Sequence, residues 1–404
     1  MLAATLQRDP LAQQSATVRI ESIDLLRGIV MIIMALDHVR DYFHADAYIF
    51  DPLRLADTTA PIFFTRWITH FCAPVFVFLA GTSAFFVGQK KGLRQLSIFL
   101  LTRGIWLVFL EISVVGFGWF FNIEFSVIVL QVIWALGIGM IILAALVHLP
   151  IAINFALGIL LVAGHNLLDG IHVEGTGAAT IGWAMLHEFA AFPLNDRVLL
   201  VGYPIIPWTG IMVLGYCFGT WYQPGVSALV RRKRLLMTGT IMLLSFIVVR
   251  YVNVYGDPRP WSEKSSSVFT FLSFINVNKY PPSLLYVLIT LGPSMIVLAL
   301  TENIRGTIQT YTTALGRVPL FFYVIHLYAI HLVAVIAAML TGFDASDMVL
   351  NTWVTDAPQL KGYGFSLGAV YVIWIAFVLL LLPVCLWYDR YKRTNRDKWW
   401  LSYL

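Results

Sequence analysis

Between Arg19 and His44 the chain reads RIESIDLLRGIVMIIMALDHVRDYFH. Five ionisable side chains interrupt its apolar run: Arg27, Asp37, His38, Arg40 and Asp41. The middle of the stretch, Leu25 to Phe43, has about the 20 residues a helix needs to cross a bilayer. A charged group there costs about 3 kcal/mol on insertion scales, so it normally faces a bundle interior or a wet cavity. Arg27 and His38 lie about three helical turns apart, which returns them to one face roughly 16 Å from each other. His38 and Asp41, at i and i+3, are neighbours on that face.

An imidazole titrates near neutrality, at about pH 6.5, and a carboxylate beside it can fix its tautomer and stabilise its protonated form. His38 is therefore the candidate general base. Asp41 or Asp37 would orient it, and the spacing does not choose between them. Arg27, with its permanent charge and forked donors, suits an anionic ligand such as a coenzyme's phosphates. The structural alternative is neutralisation within the helix, Asp24 with Arg27 and Asp37 or Asp41 with Arg40. A helix with no task beyond packing would be more stable if wholly apolar, so the cluster favours a site.

Weaker candidates lie elsewhere. His44 and His70 flank the loop after the first helix and can approach His38, with solvated interfacial histidines as the plainer reading. A metal site built from them with Asp41 lacks any HExxH-like spacing, and no metal is expected. Arg103 and Glu111 are eight residues apart on one span, consistent with a packing pair or with ligand contact. His326 shares a helix face with Tyr323 and could reach the site or be a hydrogen-bonded core group. The runs Tyr203–Trp208 and Tyr280–Ser283 place proline at helix starts and aromatic rings at an interface, so Trp208 and Tyr280 are candidates for a cavity mouth.

Of the 404 residues, 59% are hydrophobic and 12% are charged, at a mean hydropathy of +0.79. Ordinary soluble domains carry about 25% charged residues, so this is a polytopic membrane protein. Its net charge of +5 does not indicate nucleic-acid binding, because the basic residues fall in short loops. Cys72, Cys217 and Cys385 lie in apolar segments and are expected as buried thiols. Residues 1–18 have no continuous apolar core and are not expected to be a cleaved signal peptide.

The expected fold is an all-α transmembrane bundle of about ten spans. After the first helix, apolar runs cover about 68–87, 96–117, 126–148, 149–165, 203–221, 235–254, 283–301, 317–340 and 366–388. With the first residues cytoplasmic, 16 Lys and Arg fall in cytoplasmic segments and 7 in outward loops, so both termini are expected in the cytoplasm. That gives a tail at 1–18, one transmembrane domain at 19–388 and a second tail at 389–404. The outward loops are the long ones, and no internal repeat is evident.

These residues carry a resemblance. Arg27-x10-His38, preceded by SIDLLRG and followed by HFCAPVFVFLAGTSAFF, resembles the start of the membrane-bound acyltransferase superfamily, which includes O-acetylating enzymes of bacterial surface polysaccharides. More narrowly, the chain resembles a bacterial family related to the catalytic domain of heparan-alpha-glucosaminide N-acetyltransferase. The supporting runs are RGIWLVFLEI, YPIIPWTGIMVLGYCFG, KYPPSLLYVLITLGP and GRVPLFFYVIHLYAIHL. The resemblance implies transfer of an acyl group, most simply acetyl, from cytoplasmic acyl-coenzyme A to a hydroxyl or amine of a sugar or glycan on the far side. The functional Arg and His of the polysaccharide enzymes map onto Arg27 and His38, and their third-helix arginine onto Arg103. In the lysosomal relative the position of His38 is asparagine and the active histidine comes later, which keeps His44 as the second candidate. A bacterial inner membrane is the expected location. The reading from another class is a proton-coupled transporter, whose relays also use intramembrane Asp and His. Transporters commonly show repeated halves, and none is seen here.

Overall fold

A computed structural model describes residues 20–395 and 397–402. The expected tail at 1–18 lies outside the described residues, as do Arg19, Arg396, Tyr403 and Leu404. The first helix, α1 (Glu21–Phe43), is the axis of the bundle. Of its 23 residues, 17 are buried. It packs against the helices Cys72–Lys91, Thr307–Arg317, Pro319–Leu340 and Leu367–Thr394. This explains how one helix can carry so many charges: they face protein, where partners compensate the lost hydration.

Among the described residues six helices, α1 not included, are long and apolar enough to cross a membrane: Ala60–Lys91, Leu93–Phe120, Ala228–Val252, Leu284–Thr301, Pro319–Leu340 and Leu367–Thr394. The outermost have apolar outer faces; Met237, Ile241, Leu244, Ile247 and Val248 of Ala228–Val252 are all exposed. Apolar side chains turned outward around a charged centre are the arrangement a lipid solvent favours. The remaining expected spans hold shorter helices, Val132–Leu146, Ile151–Ala163 and Ile205–Phe218. At 1.5 Å per residue these reach about 20–23 Å, less than the about 30 Å of a hydrocarbon core. The three cysteines are free and buried, as expected.

The wholly helical expectation needs one correction. Residues 126–148 are not a single helix. Val127–Leu130 is a strand (β1) that pairs in parallel with β3 (Arg197–Val201), and β3 pairs antiparallel with β2 (Ala190–Leu194). Val-Ile-Val-Leu is an apolar run of strand length, and periodicity alone cannot separate a short buried strand from a helix. The β-branched residues decide it. Helix Val132–Leu146 starts directly after β1, and the buried Glu111 carboxylate accepts from the Trp134 N–H at 2.9 Å, capping its first turn from another helix.

Two packing details carry predictions. Gly28 and Gly316 bring α1 and Thr307–Arg317 into backbone contact. A Cβ on Gly316 would lie 1.8 Å from the Asp24 carbonyl oxygen, and one on Gly28 would lie 1.9 Å from that of Thr312. Gly316→Val must push the helices apart, so its expected cost is about 3 kcal/mol or more, read as a lowered melting temperature in detergent. Unchanged melting would show that this contact is not tight.

Arg250 is fully buried at the end of Ala228–Val252 and donates to four carbonyls, those of Ser273, Phe274, Asn276 and Arg259, at 2.8–3.1 Å. It ties the loop that leads to Lys279 and Tyr280. A lysine has no planar fork to reproduce this set. Arg250→Lys is expected to cost about 3 kcal/mol, measured by thermal unfolding.

Candidate active site

The cavity beside α1 has a volume of about 860 Å³. Its floor is one turn of that helix, Asp37 to Asp41, and its walls come from three other parts of the chain. The loop after α1 and the segment 352–361 form one side. The sheet contributes Val127, Val129, Val198 and Leu200, and Lys279 and Tyr280 close the third. The strand that the sequence reading missed is thus part of the site.

His38 is buried and lines this cavity. Its partner is neither Asp37 nor Asp41 but His326, with His38 Nδ1 2.7 Å from His326 Nε2. The tautomers follow from what each neighbour can do. His326 Nδ1 lies 2.9 Å from the Phe322 carbonyl, which only accepts, so His326 carries its proton on Nδ1. Neutral His326 therefore accepts at Nε2, and His38 must donate from Nδ1. The lone pair of neutral His38 is then on Nε2. Helix periodicity supports this geometry, since Phe322 and His326 are i and i+4 on Pro319–Leu340, which packs against α1. Trp119 meets the His38 ring edge-on, with centroids 4.8 Å apart.

The two aspartates are engaged with arginines. Asp37 accepts from Arg66 at 2.6 Å and lies 3.4 Å from Arg40. Asp41 pairs with Arg40. The Nε and Nη1 of Arg40 are buried without a hydrogen-bond partner. Lys279, 8% exposed, lines the cavity with its ammonium 5.1 Å from the centre of the Tyr280 ring. Arg40, Arg66 and Lys279 thus face Asp37 and Asp41, an excess of positive charge at the cavity floor. Arg66 and Lys279 escaped the sequence reading because each read as a lone cation in an outward loop. Only the folded chain brings them to Asp37.

The other expected site residues are dispersed. His44 caps the end of α1, buried, 3.9 Å from Asp46, and does not line the cavity. His70 is buried behind Thr69 and Cys72 with both ring nitrogens unpartnered. Trp208 is fully buried behind Tyr203, their rings stacked at 4.8 Å, so Tyr203 and Tyr280 form the wall in its place. Glu111 serves the helix cap described above.

Arg27 is at the far end of α1, bonded to Asp24 at 3.1 Å, Ser83 at 3.1 Å and the Gly316 carbonyl at 3.2 Å. Asp24 also lies 3.8 Å from Arg317. The pairings weighed as a structural alternative, Asp24 with Arg27 and both Asp37 and Asp41 with Arg40, are thus all present. They coexist with the cavity rather than replacing it. Arg103 lies on Leu93–Phe120, outside the cavity, with its guanidinium 5.8 Å from the centre of the Phe99 ring.

Comparison with known proteins supplies the family. No curated protein matches the chain. The family model described as heparan-alpha-glucosaminide N-acetyltransferase, catalytic, matches residues 19–254. That is more than half of the chain, and it begins at the helix that carries the site. The chain belongs to the family of heparan-alpha-glucosaminide N-acetyltransferase catalytic domains.

Proposed function

We propose that this chain moves an acyl group, acetyl in the first instance, from acyl-coenzyme A to a hydroxyl or amine of a sugar or glycan, with His38 as the general base. Family membership supports membrane acetyltransferase activity. The observation that carries the residue assignment is the hydrogen bond from His38 Nδ1 to His326, which leaves the Nε2 lone pair free on a residue that lines the cavity.

In this reading the acceptor O–H or N–H gives its proton to His38 Nε2 as its oxygen or nitrogen bonds to the thioester carbonyl carbon. The carbon–sulfur bond then breaks, and the departing thiolate takes the proton back from His38. His326 accepts from the Nδ1–H throughout and stabilises the transient imidazolium without adding a charge of its own. Arg40 has two unspent donors for the carbonyl oxygen as it becomes negative, or for an acidic group on a substrate. Asp37 and Asp41 act by holding Arg66 and Arg40 in place. His44 has no such route to the cavity.

The ten helical segments would all enter the bilayer, that of a bacterial inner membrane, with both termini cytoplasmic. Arg27, with Arg103 further off, then marks the cytoplasmic end, where acyl-coenzyme A arrives, and the cavity lies on the acceptor side. The test is transfer of labelled acetyl from acetyl-coenzyme A to amino-sugar acceptors by protein in liposomes. Transfer above that of empty liposomes is expected; none to any hydroxyl or amino sugar would overturn the proposal.

A further inference from the structure

A second constellation lies away from the cavity. Helix Ile151–Ala163 ends in a short 3-10 turn, His165–Leu168, followed by Asp169, and His187 follows the helix Ala178–Leu186. Among the described residues, His165, Asp169 and His187 are the one group of three or more His, Cys, Asp or Glu side chains whose ligand atoms all lie within 4.8 Å of one another. His165 Nδ1 is 3.2 Å from His187 Nε2, and Asp169 Oδ1 is 3.5 Å from the same nitrogen. Both histidines are buried.

These separations have a meaning. Ligands held about 2.0–2.2 Å from a tetrahedral ion stand about 3.3–3.6 Å from each other, close to the two separations about His187 Nε2. Without an ion, His187 Nε2 donates its proton to the His165 carbonyl at 2.9 Å, with His165 Nδ1 and Asp169 Oδ1 beside it; an ion bound here would replace that proton, and metal binding releases protons in general. The supporting contacts are those of a held ligand set. Asn166 donates to Asp169 Oδ2 at 2.8 Å, leaving Oδ1 turned to the histidines. Asn166 Oδ1 in turn accepts from the Leu284 N–H at 3.0 Å, fixing the turn to the next helix. Outer partners of this kind orient metal-binding carboxylates in general.

We propose that His165, Asp169 and His187 bind one divalent transition-metal ion, with zinc the best fit to two imidazoles and a carboxylate. Its position makes it a clasp. It joins the end of Ile151–Ala163 to the Ala178–Leu186 helix, and Asn166 extends the tie to the helix that follows Lys279 and Tyr280.

The experiment uses full-length protein in detergent, stripped by a chelator and titrated with zinc or cobalt ions alone. One saturable site per chain is expected, with the visible absorption of tetrahedral cobalt. Asn166→Ala should weaken binding by about 10–100-fold, the usual effect of losing an outer partner. His187→Gln, which keeps a donor for the His165 carbonyl, should weaken it further, and zinc should raise the melting temperature of wild type but not of this variant. Stripped wild-type protein that is monodisperse yet takes up no ion saturably would overturn the proposal. So would wild-type zinc affinity in the His165→Gln, His187→Gln double variant.

Discussion

His38→Ala is expected to lower acetyl transfer by about 10²–10⁴-fold, the span typical of removing a general base. The reasoning is geometric. The tautomers of His38 and His326 leave the His38 Nε2 lone pair free on a residue that lines the cavity. Asp37 and Asp41 are occupied by Arg66 and Arg40. The loss should fall on turnover and spare donor binding, since the deleted group acts on the acceptor proton. The folded state should survive as well, because His326 keeps its bond to the Phe322 carbonyl. The check is transfer rate against acetyl-coenzyme A concentration. Loss of less than about threefold would exclude His38 as the base.

His326 gives the second large effect, and a different signature. It acts through His38 and touches no substrate in this account. His326→Leu removes the acceptor for the His38 Nδ1–H, so the imidazole is free to rotate or to carry its proton on Nε2, where it cannot act as a base. A fall of about 10²–10³-fold in turnover is expected; loss of tautomer control in a serine-protease triad costs about 10⁴-fold. His326→Gln is the informative control, since its amide oxygen can accept from Nδ1–H and should restore much of the rate. The imidazole pKa read from the pH–rate profile should also move in His326→Leu. If both variants are equally slow and the profile is unmoved, His326 is a packing residue.

Much of the architecture was legible in the sequence, and the reasons for the rest are specific. Hydropathy and length located a helix over each apolar run, since the bilayer sets both. The charges of α1 were legible as an inward-facing cluster because no lipid-facing helix would carry them. Their partners were not. Asp37 with Arg66, and His38 with His326, join residues 29 and 288 positions apart, and helical spacing speaks only of neighbours within a few turns. The i,i+3 relation of His38 and Asp41 was sound geometry with the wrong conclusion, because Arg40 takes the carboxylate. Val127–Leu130 was misread because an apolar run of four to eight residues serves a strand as well as a helix. His165 passed as the end of the expected span 149–165 and His187 as a loop residue, although a His and an Asp four apart on a turn, with a second His after a short helix, is a signal that can be sought.

The most direct measurement is acetyl-coenzyme A binding to the purified protein by calorimetry in detergent, for wild type, His38→Ala and Arg27→Ala. Saturable binding by wild type, kept in His38→Ala and lost in Arg27→Ala, is the predicted result, with transfer strongly lowered in both variants. Folded wild-type protein that binds no acetyl-coenzyme A would contradict the account and favour a transport role for the cavity.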